Sequence, residues 1–174
     1  MIISVEDLKK RIDCGTATDD QIAVKLDAIE AVIRAYTNNN FQHRGIRFLG
    51  YIQDGCVYGS PTNFAVGDTV EVSDDLGVND GLFVIKANNG DSLEFDKPLA
   101  TAECVLVTKV TYPADVVMCA VDLFKWNQNM GEKVGIKSET ISRHSVTYED
   151  SATLFMGYPV GILNGLKLHR KARC

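Results

Sequence analysis

The sequence predicts an α+β protein in which a small α-helical bundle carries an inserted small β-barrel-like module and an extended C-terminal arm. Three observations predict this fold class. Apolar residues recur at helical spacing before residue 42 and after residue 112, short alternating strand patterns lie between them, and a β-prone segment without an apolar face follows the last long helix. The predicted helical body therefore covers residues 1–42 and 112–174, with the module over 43–111.

Two helices are predicted before the module. Ser4 with Asp7 resembles a capping box and begins a short helix that ends near Ile12. Thr18 is a good N-cap for a second, longer helix, which the turn-forming residues after Thr37 end. The apolar residues of this second helix step by three or four positions: Ile22, Leu26, Ile29, Ile33 and Tyr36. Such a stripe is typical of a core-facing helix.

Six short strands are predicted in the module, over residues 46–52, 56–58, 68–72, 82–87, 92–95 and 104–110. Turn signals such as Asp54-Gly55 and Asn89-Gly90 separate them. Closing the sheet into a small barrel would hide its edges. Residues 60–103 contain nine acidic residues and two lysines, a net formal charge of −7. Because small barrels that bind nucleic acid need basic and aromatic groups on one face, the sequence favours a scaffold or interaction module.

After the module, Pro113 stands at a good first helical position, and a mostly apolar helix runs through Trp126. A helix that is apolar on most sides is buried on most sides, so we expect it to pack against the second helix. The module then becomes an insertion between two helices that are neighbours in space. Gly131 is a predicted C-cap, and Pro159 opens a last short helix.

The predicted arm covers about residues 137–150. Its residues favour a strand, but both alternating faces are mixed, so no apolar row fixes it on its own core. An extended segment with unpaired backbone groups is suited to pairing with another chain, while the alternative, a mobile surface loop, stays open. The candidate interface residues of the arm are Thr140, Ile141, Ser142, Arg143, His144, Ser145, Val146, Thr147 and Tyr148.

Charge and composition indicate whether the protein is exported or crosses a membrane, and where its charged surfaces lie. The N-terminal segment lacks the basic start of a signal peptide, and no apolar run is long enough to span a membrane, which predicts a non-exported protein without a membrane partner. Four basic residues follow the last acidic residue, Asp150; these are Lys167, Arg170, Lys171 and Arg173. The acidic middle and basic end are either ordinary solvated surface or a contact code between neighbouring copies, and both interpretations remain open.

No catalytic, metal or cofactor site is predicted, so the sequence does not indicate an enzyme. The three histidines have no neighbouring acid or cysteine at ligand spacing, and the five cysteines occur singly, which favours buried free thiols. Cys119 lies in an apolar helical run, where a thiol is usually inert. Asp74 and Asp75 lie in a turn region, where two solvated acids are expected.

Five segments occur in an informative order. They read S-V-E-D-L-K-K-R-I, T-D-D-Q-I with an Ala-rich helix ending I-R-A-Y-T-N-N-N-F, P-A-D-V-V-M-C-A-V-D-L-F-K-W, S-E-T-I-S-R-H-S-V-T-Y and G-Y-P-V-G-I-L-N-G-L-K-L-H-R-K-A-R. Together they resemble the head-tail connector family of tailed phages, also called head-completion or adaptor proteins. The resemblance covers residues 1–42 and 112–174. The module resembles insertions seen in some connectors of phages that infect Gram-positive bacteria.

The resemblance implies a structural virion protein at the head-tail interface, made in the bacterial host cytoplasm. Copies would form a homo-oligomeric ring that docks on the portal protein, receives a stopper or tail-completion protein and extends the channel, through which genomic DNA passes without sequence-specific binding. Residues 140–148 would be the family's extended arm, and the four C-terminal basic residues would meet an acidic partner. The alternative function is a bacterial or phage regulatory or nucleic-acid-binding protein that uses the β module.

Overall fold

The computed structural model describes residues 1–74, 76–130, 138–141, 144–147 and 154–172, and for residues 130, 138–141 and 144–147 it describes the backbone alone. The chain divides into two compact units. The first, the helical unit, combines residues 1–39 with residues 112–174, and the second, the barrel unit, is residues 40–111. The predicted boundaries were 42/43 and 111/112, so one differs by three residues from the observed division and the other coincides with it.

The helical unit contains α1 (Val5–Arg11), α2 (Asp19–Thr37), α3 (Ala114–Met130), the short α4 (Val160–Leu163) and a following 3-10 turn (Asn164–His169). The Ser4 hydroxyl accepts a hydrogen bond from the backbone of Asp7 and caps α1. At α2, Thr18 and Gln21 form a full capping box. Asn38 ends α2 in the left-handed conformation, as its residue type favours. Gly131, the predicted cap of α3, lies outside the described residues.

The core of the helical unit lies where α2 and α3 pack against each other, as the sequence predicts. The α2 stripe is buried throughout, together with Leu8 of α1, Phe124 of α3 and Leu166 of the 3-10 turn. One acid is also buried here: Glu30 is 4% exposed and accepts a 2.6 Å hydrogen bond from the Tyr112 hydroxyl. Burying a carboxylate is tolerable because it is paired in this way.

The barrel unit is a closed barrel of six antiparallel strands. They are β1 (Gln42–Gln53), β2 (Cys56–Tyr58), β3 (Thr69–Asp74), β4 (Gly81–Asn88), β5 (Ser92–Phe95) and β6 (Ala102–Val110). Their order around the barrel is β1-β2-β5-β4-β3-β6, and β6 pairs with β1 to close it. Every strand therefore has two neighbours, which removes the free edges that an open sheet would expose.

Twelve buried hydrophobic residues fill the barrel, among them Val57, Val70, Phe83 and Leu93. The β1–β2 hairpin turns through Asp54 and Gly55, which both have positive φ, at 52° and 77°. Two successive residues with positive φ are what a tight hairpin turn needs, and Asp-Gly is a preferred pair there. The strand positions of this unit follow the predicted ones closely because alternation and turn residues are local signals.

The predicted fold class is wrong in its proportions. The structure has a closed six-stranded barrel, with 31% strand, 35% helix and four helices in the described part of the chain, and it is not a helical bundle with a small inserted module. Only α2 and α3 are long, while α1 has seven residues and α4 has four. The barrel has a buried hydrophobic core of its own, so it is a second structural unit beside the helical unit and not a minor insertion in it.

The predicted extended arm is also corrected. Residues Ser138–Ile141 form β7 and His144–Thr147 form β8, and the two strands pair antiparallel as a hairpin, here called the arm hairpin. The expectation that this segment has no backbone partner in its own chain is therefore wrong. The sequence has no Asn-Gly type of turn signal between the two strands, so its β-prone residues predict one continuous strand. A second small hairpin joins β9 (Leu154–Phe155) and β10 (Tyr158–Pro159).

Candidate partner-binding surfaces

The arm hairpin brings six of the nine predicted arm residues together. Thr140 lies opposite Ser145, and Ile141 lies opposite His144. Val146 and Thr147 pair with Glu139 and Ser138, while Ser142, Arg143 and Tyr148 lie outside the described residues, and the predicted contacts of these three stay predictions. Among the described residues β7 and β8 form a two-stranded sheet, so each strand has a second backbone edge to which no described strand is added.

The C-terminal basic segment is held on the end of α2. The backbone N–H of Lys171 donates to the carbonyl of Thr37 at 2.8 Å. The Asn38 amide donates to the carbonyl of Ala172, and the Asn39 amide donates to the carbonyl of His169, each at 3.1 Å. The segment is therefore anchored through its backbone, which leaves its basic side chains available. Basic groups at this place are favoured by the negative end of the α2 dipole.

A second tie holds this segment to the first turn of α3. The Nε2 atom of His169 lies 2.6 Å from a carboxylate oxygen of Asp115. This hydrogen bond is the main reason that the pKa of Asp115 lies below its usual value. Together with the two asparagine amides, the contact fixes the segment at both long helices of the unit.

A cavity of about 510 Å³ opens beside this segment, and we call it the Tyr36 cavity. The rings of Tyr36 and Phe155 meet edge to face at 5.5 Å, and the Arg170 guanidinium lies 5.2 Å from the centre of the Tyr36 ring. The Tyr36 hydroxyl is satisfied by Asn164 at 3.1 Å. Lys171 also lines the cavity. Its aromatic lining and basic rim suit an apolar group that carries negative charge beside it.

The basic side chains near this cavity are exposed. Within the described part of the chain, Lys167, Arg170 and Lys171 form no ion pair with an acid. Leu168 lies among them and is 95% exposed. Arg173, the last predicted basic contact, lies outside the described residues. Three of the four predicted basic residues are therefore placed on one short segment of the surface.

The loop between β3 and β4, residues 74–80, is a second candidate surface in the barrel unit. The Asp74 carboxylate accepts hydrogen bonds from the backbone N–H groups of Leu76, Val78 and Asn79, at 3.0 to 3.1 Å. The buried Asn79 amide also donates to Asp74 at 2.7 Å and to the carbonyl of Ala100 at 3.1 Å. Leu76 and Val78 nevertheless point outward, with 81% and 67% of their surface exposed.

Sequence reasoning missed the cavity and the loop. Tyr36 was assigned to the core stripe of α2, and nothing in its spacing showed that its ring would also line a cavity. Asp74 was expected to be a solvated acid, but it is half-buried and holds a loop. The available signal was the run D-D-L-G-V-N-D, where Asp and Asn residues flank two aliphatic residues that no strand pattern uses.

The described residues include histidine and acidic side chains and four free cysteines. Those residues contain no group of three or more His, Cys, Asp or Glu side chains able to hold a metal ion. Burial raises the pKa of the Cys119 thiol to about 11, so this thiol is protonated and inert at neutral pH. Cys14 is also buried, but Cys104 is exposed and Cys56 is half-buried, so the prediction of buried thiols was wrong for these two.

Hydropathy adds one observation on the helices. None of those that the structure describes combines the length and the apolar character needed to cross a bilayer.

Comparison with known proteins yields no assignment. No protein-family model matches the chain, and no curated protein matches it. The function is therefore argued from the residues and from the geometry of the surfaces described above.

Proposed function

We propose that this chain is a head-tail connector of a tailed phage: a structural protein that assembles as a ring, docks on the portal protein, receives a stopper or tail-completion protein and extends the DNA channel of the virion. The observation that carries the proposal is the grouping of the connector-like segments. These five segments lie on either side of the barrel in sequence, and apart from Asn40 and Phe41 they fall in one compact unit.

The arm hairpin supports a role in attachment. Each of its strands has an outer backbone edge to which no described strand is added. A partner strand can extend such an edge through main-chain hydrogen bonds, with side chains setting the register. The portal protein or a neighbouring copy would supply that strand. This replaces the single unpaired ribbon expected from the sequence with a preformed hairpin, which loses less conformational entropy on binding.

The charge of the barrel unit supports passage of DNA without binding. Residues 40–111 contain ten acidic residues and five lysines or arginines, a net formal charge of −5. A surface of this sign repels the phosphate backbone and so favours sliding over adhesion.

The rival function, nucleic-acid binding through the barrel, has one observation in its favour. The rings of Tyr51 and Tyr58 stack at 5.3 Å, and Leu49 is exposed on the same outer face of β1. Exposed aromatic rings are a common platform for bases. Binding of the purified chain to random DNA that weakens as salt rises would favour this rival. The connector function predicts no such binding.

Removing the gene from the phage genome that carries it tests the connector function. We expect lysates with DNA-containing heads and separate tails, because head and tail cannot join without the ring. Electron microscopy of the particles checks this, and labelled antibody should mark one vertex of wild-type heads. Supplying the wild-type chain from a plasmid should restore complete particles. Joined, infectious virions in the absence of the chain would refute the proposal.

A further inference from the structure

We propose that the β3–β4 loop of one copy of this chain docks in the Tyr36 cavity of a second copy. The contact would join neighbouring subunits of the proposed ring, and in that sense it rests on the proposed function. It is nevertheless a property of the purified chain, so it can be measured without a virion.

The loop has the properties of a rigid anchor. Its aliphatic side chains Leu76 and Val78 are exposed, although three hydrogen bonds from backbone N–H groups to Asp74 hold the backbone around them. The bonds between Asn79 and Ala100 hold the base of the loop to the rest of the barrel. Backbone that is already held by hydrogen bonds loses little conformational entropy when it binds. Two exposed aliphatic groups on such a loop gain from burial against another surface.

The cavity offers the complementary chemistry. Its aromatic lining, Tyr36 and Phe155, provides apolar surface, and Arg170 and Lys171 stand at its rim. A volume of about 510 Å³ is within the range of pockets that enclose small apolar groups. The neighbouring Leu168 adds exposed apolar surface beside the opening. An aliphatic side chain would pack against the aromatic rings. Carboxylates beside it would attract the basic groups at the rim.

Charge identifies the occupant as another copy of the chain. The loop residues 74–80 include three acids and no basic residue, and they belong to a unit of net charge −5. Residues 154–172, which form part of the cavity, include three lysines or arginines and no acid. Opposite fields of this kind steer two surfaces together and fix their register. This chain carries both the acidic loop and the basic cavity.

The contact is head-to-tail, because the loop and the cavity are different surfaces. Such a contact leaves one loop and one cavity free in every dimer, so it continues to a closed ring or to a filament. When the subunits of the ring are attached to the portal protein, neighbouring subunits face each other at an effective concentration on the order of millimolar. A weak individual contact is therefore sufficient for assembly.

Two variants of the full chain test the contact. The loop variant combines Leu76→Ser with Val78→Ser, and the cavity variant combines Arg170→Glu with Lys171→Glu. All four side chains are exposed, and the backbone bonds that hold both segments are retained. Sedimentation equilibrium at up to about 1 mM chain measures association. The wild type should form species larger than dimers, and each variant alone should weaken association by about tenfold or more.

A mixture of the two variants decides the geometry. The loop variant keeps its cavity and the cavity variant keeps its loop, so an equal mixture should form dimers and nothing larger. Matched controls are Val24→Ser with Val66→Ser, which removes two other exposed aliphatic groups, and Lys86→Glu with Lys97→Glu, which inverts two other exposed charges. Both controls should associate as the wild type does.

A monomeric wild type at this concentration, a loop or cavity variant that associates normally, a monomeric mixture, or control variants that lose association would each overturn the contact. These outcomes leave the connector function untouched, since that function is decided by the particles formed without the gene.

Discussion

Asp74 holds the β3–β4 loop with both of its carboxylate oxygens. Burial alone would raise its pKa, but the hydrogen bonds from Asn79 and Val78 outweigh that effect and lower the pKa from its ordinary value. The charged form is therefore the form that the folded loop prefers. Because the folded-state pKa is lowered, ionised Asp74 stabilises the fold above its unfolded pKa, and this contribution is lost as the pH falls through the folded value.

We expect Asp74→Ala to lower the melting temperature by about 5 °C at neutral pH, because three backbone N–H groups and one side-chain amide lose their acceptor. The difference from the wild type should shrink as the pH falls through the lowered pKa of Asp74, where the wild-type carboxylate becomes protonated. Calorimetry over a pH series measures it. The exposed Asp91→Ala serves as the control and should show little change at any pH. A constant difference across the series would contradict the role assigned to the charge.

At the scale of elements, the first and last strands of the barrel unit lie next to each other at the chain ends of that unit. The backbone N–H of Thr111 donates to the carbonyl of Phe41 at 3.0 Å, and Gln42 pairs with Val110. The two chain ends of the barrel unit are therefore neighbours, as an insertion requires. Each unit also has its own buried core, which is the physical condition for folding alone.

We expect that replacing residues 40–111 with a short Gly-Ser linker leaves a helical unit that melts cooperatively, since α2 and α3 keep their mutual packing. Circular dichroism should show a higher helical signal per residue, because the strands of the barrel are gone. Residues 40–111 expressed alone should give the spectrum of a β protein with its own transition. Loss of the cooperative transition in the linked variant would contradict the independence of the helical unit.

The local signals of the sequence account for most elements. The α2 stripe, the Thr18 cap and the alternating strands are set by neighbours within a few positions, so composition and spacing predict them. The C-terminal basic segment and the Tyr36 cavity depend instead on contacts between residues far apart in sequence. Lys171 bonds to Thr37 across 134 positions, and the Tyr36 cavity depends on Phe155 and Arg170 from the far end of the chain. No periodic pattern shows contacts of this kind.

At the scale of the whole molecule, the arm hairpin and the ring contact would act on different partners. The hairpin offers backbone edges, while the loop and cavity offer side chains and charge. Attachment to a portal through the hairpin would bring copies together, and the weaker head-to-tail contact would then be sufficient to close the ring.

We expect that replacing residues 138–147 with a Gly-Ser segment of equal length leaves the melting temperature nearly unchanged but abolishes binding to portal-containing capsids, because the added strand loses its template. Co-sedimentation with purified capsids measures the binding. Thr140→Val with Thr147→Val is the matched control and should keep binding, since the substitutions leave the main-chain groups intact. Unchanged capsid binding by the Gly-Ser variant would refute the role of the hairpin.

The sequence by itself determined the helices, the strand positions, the acidic character of the barrel and the insertion between two helices, because each follows from local spacing and residue type. Only the tertiary structure decided the order of the six strands around the barrel, that the arm pairs with itself and that the basic segment is anchored on α2. Most of these features depend on backbone bonds between residues far apart in sequence, as in the pairing of β1 with β6 or the bond from Lys171 to Thr37. Every non-proline backbone can make such bonds, so the amino-acid pattern does not show which partner is chosen.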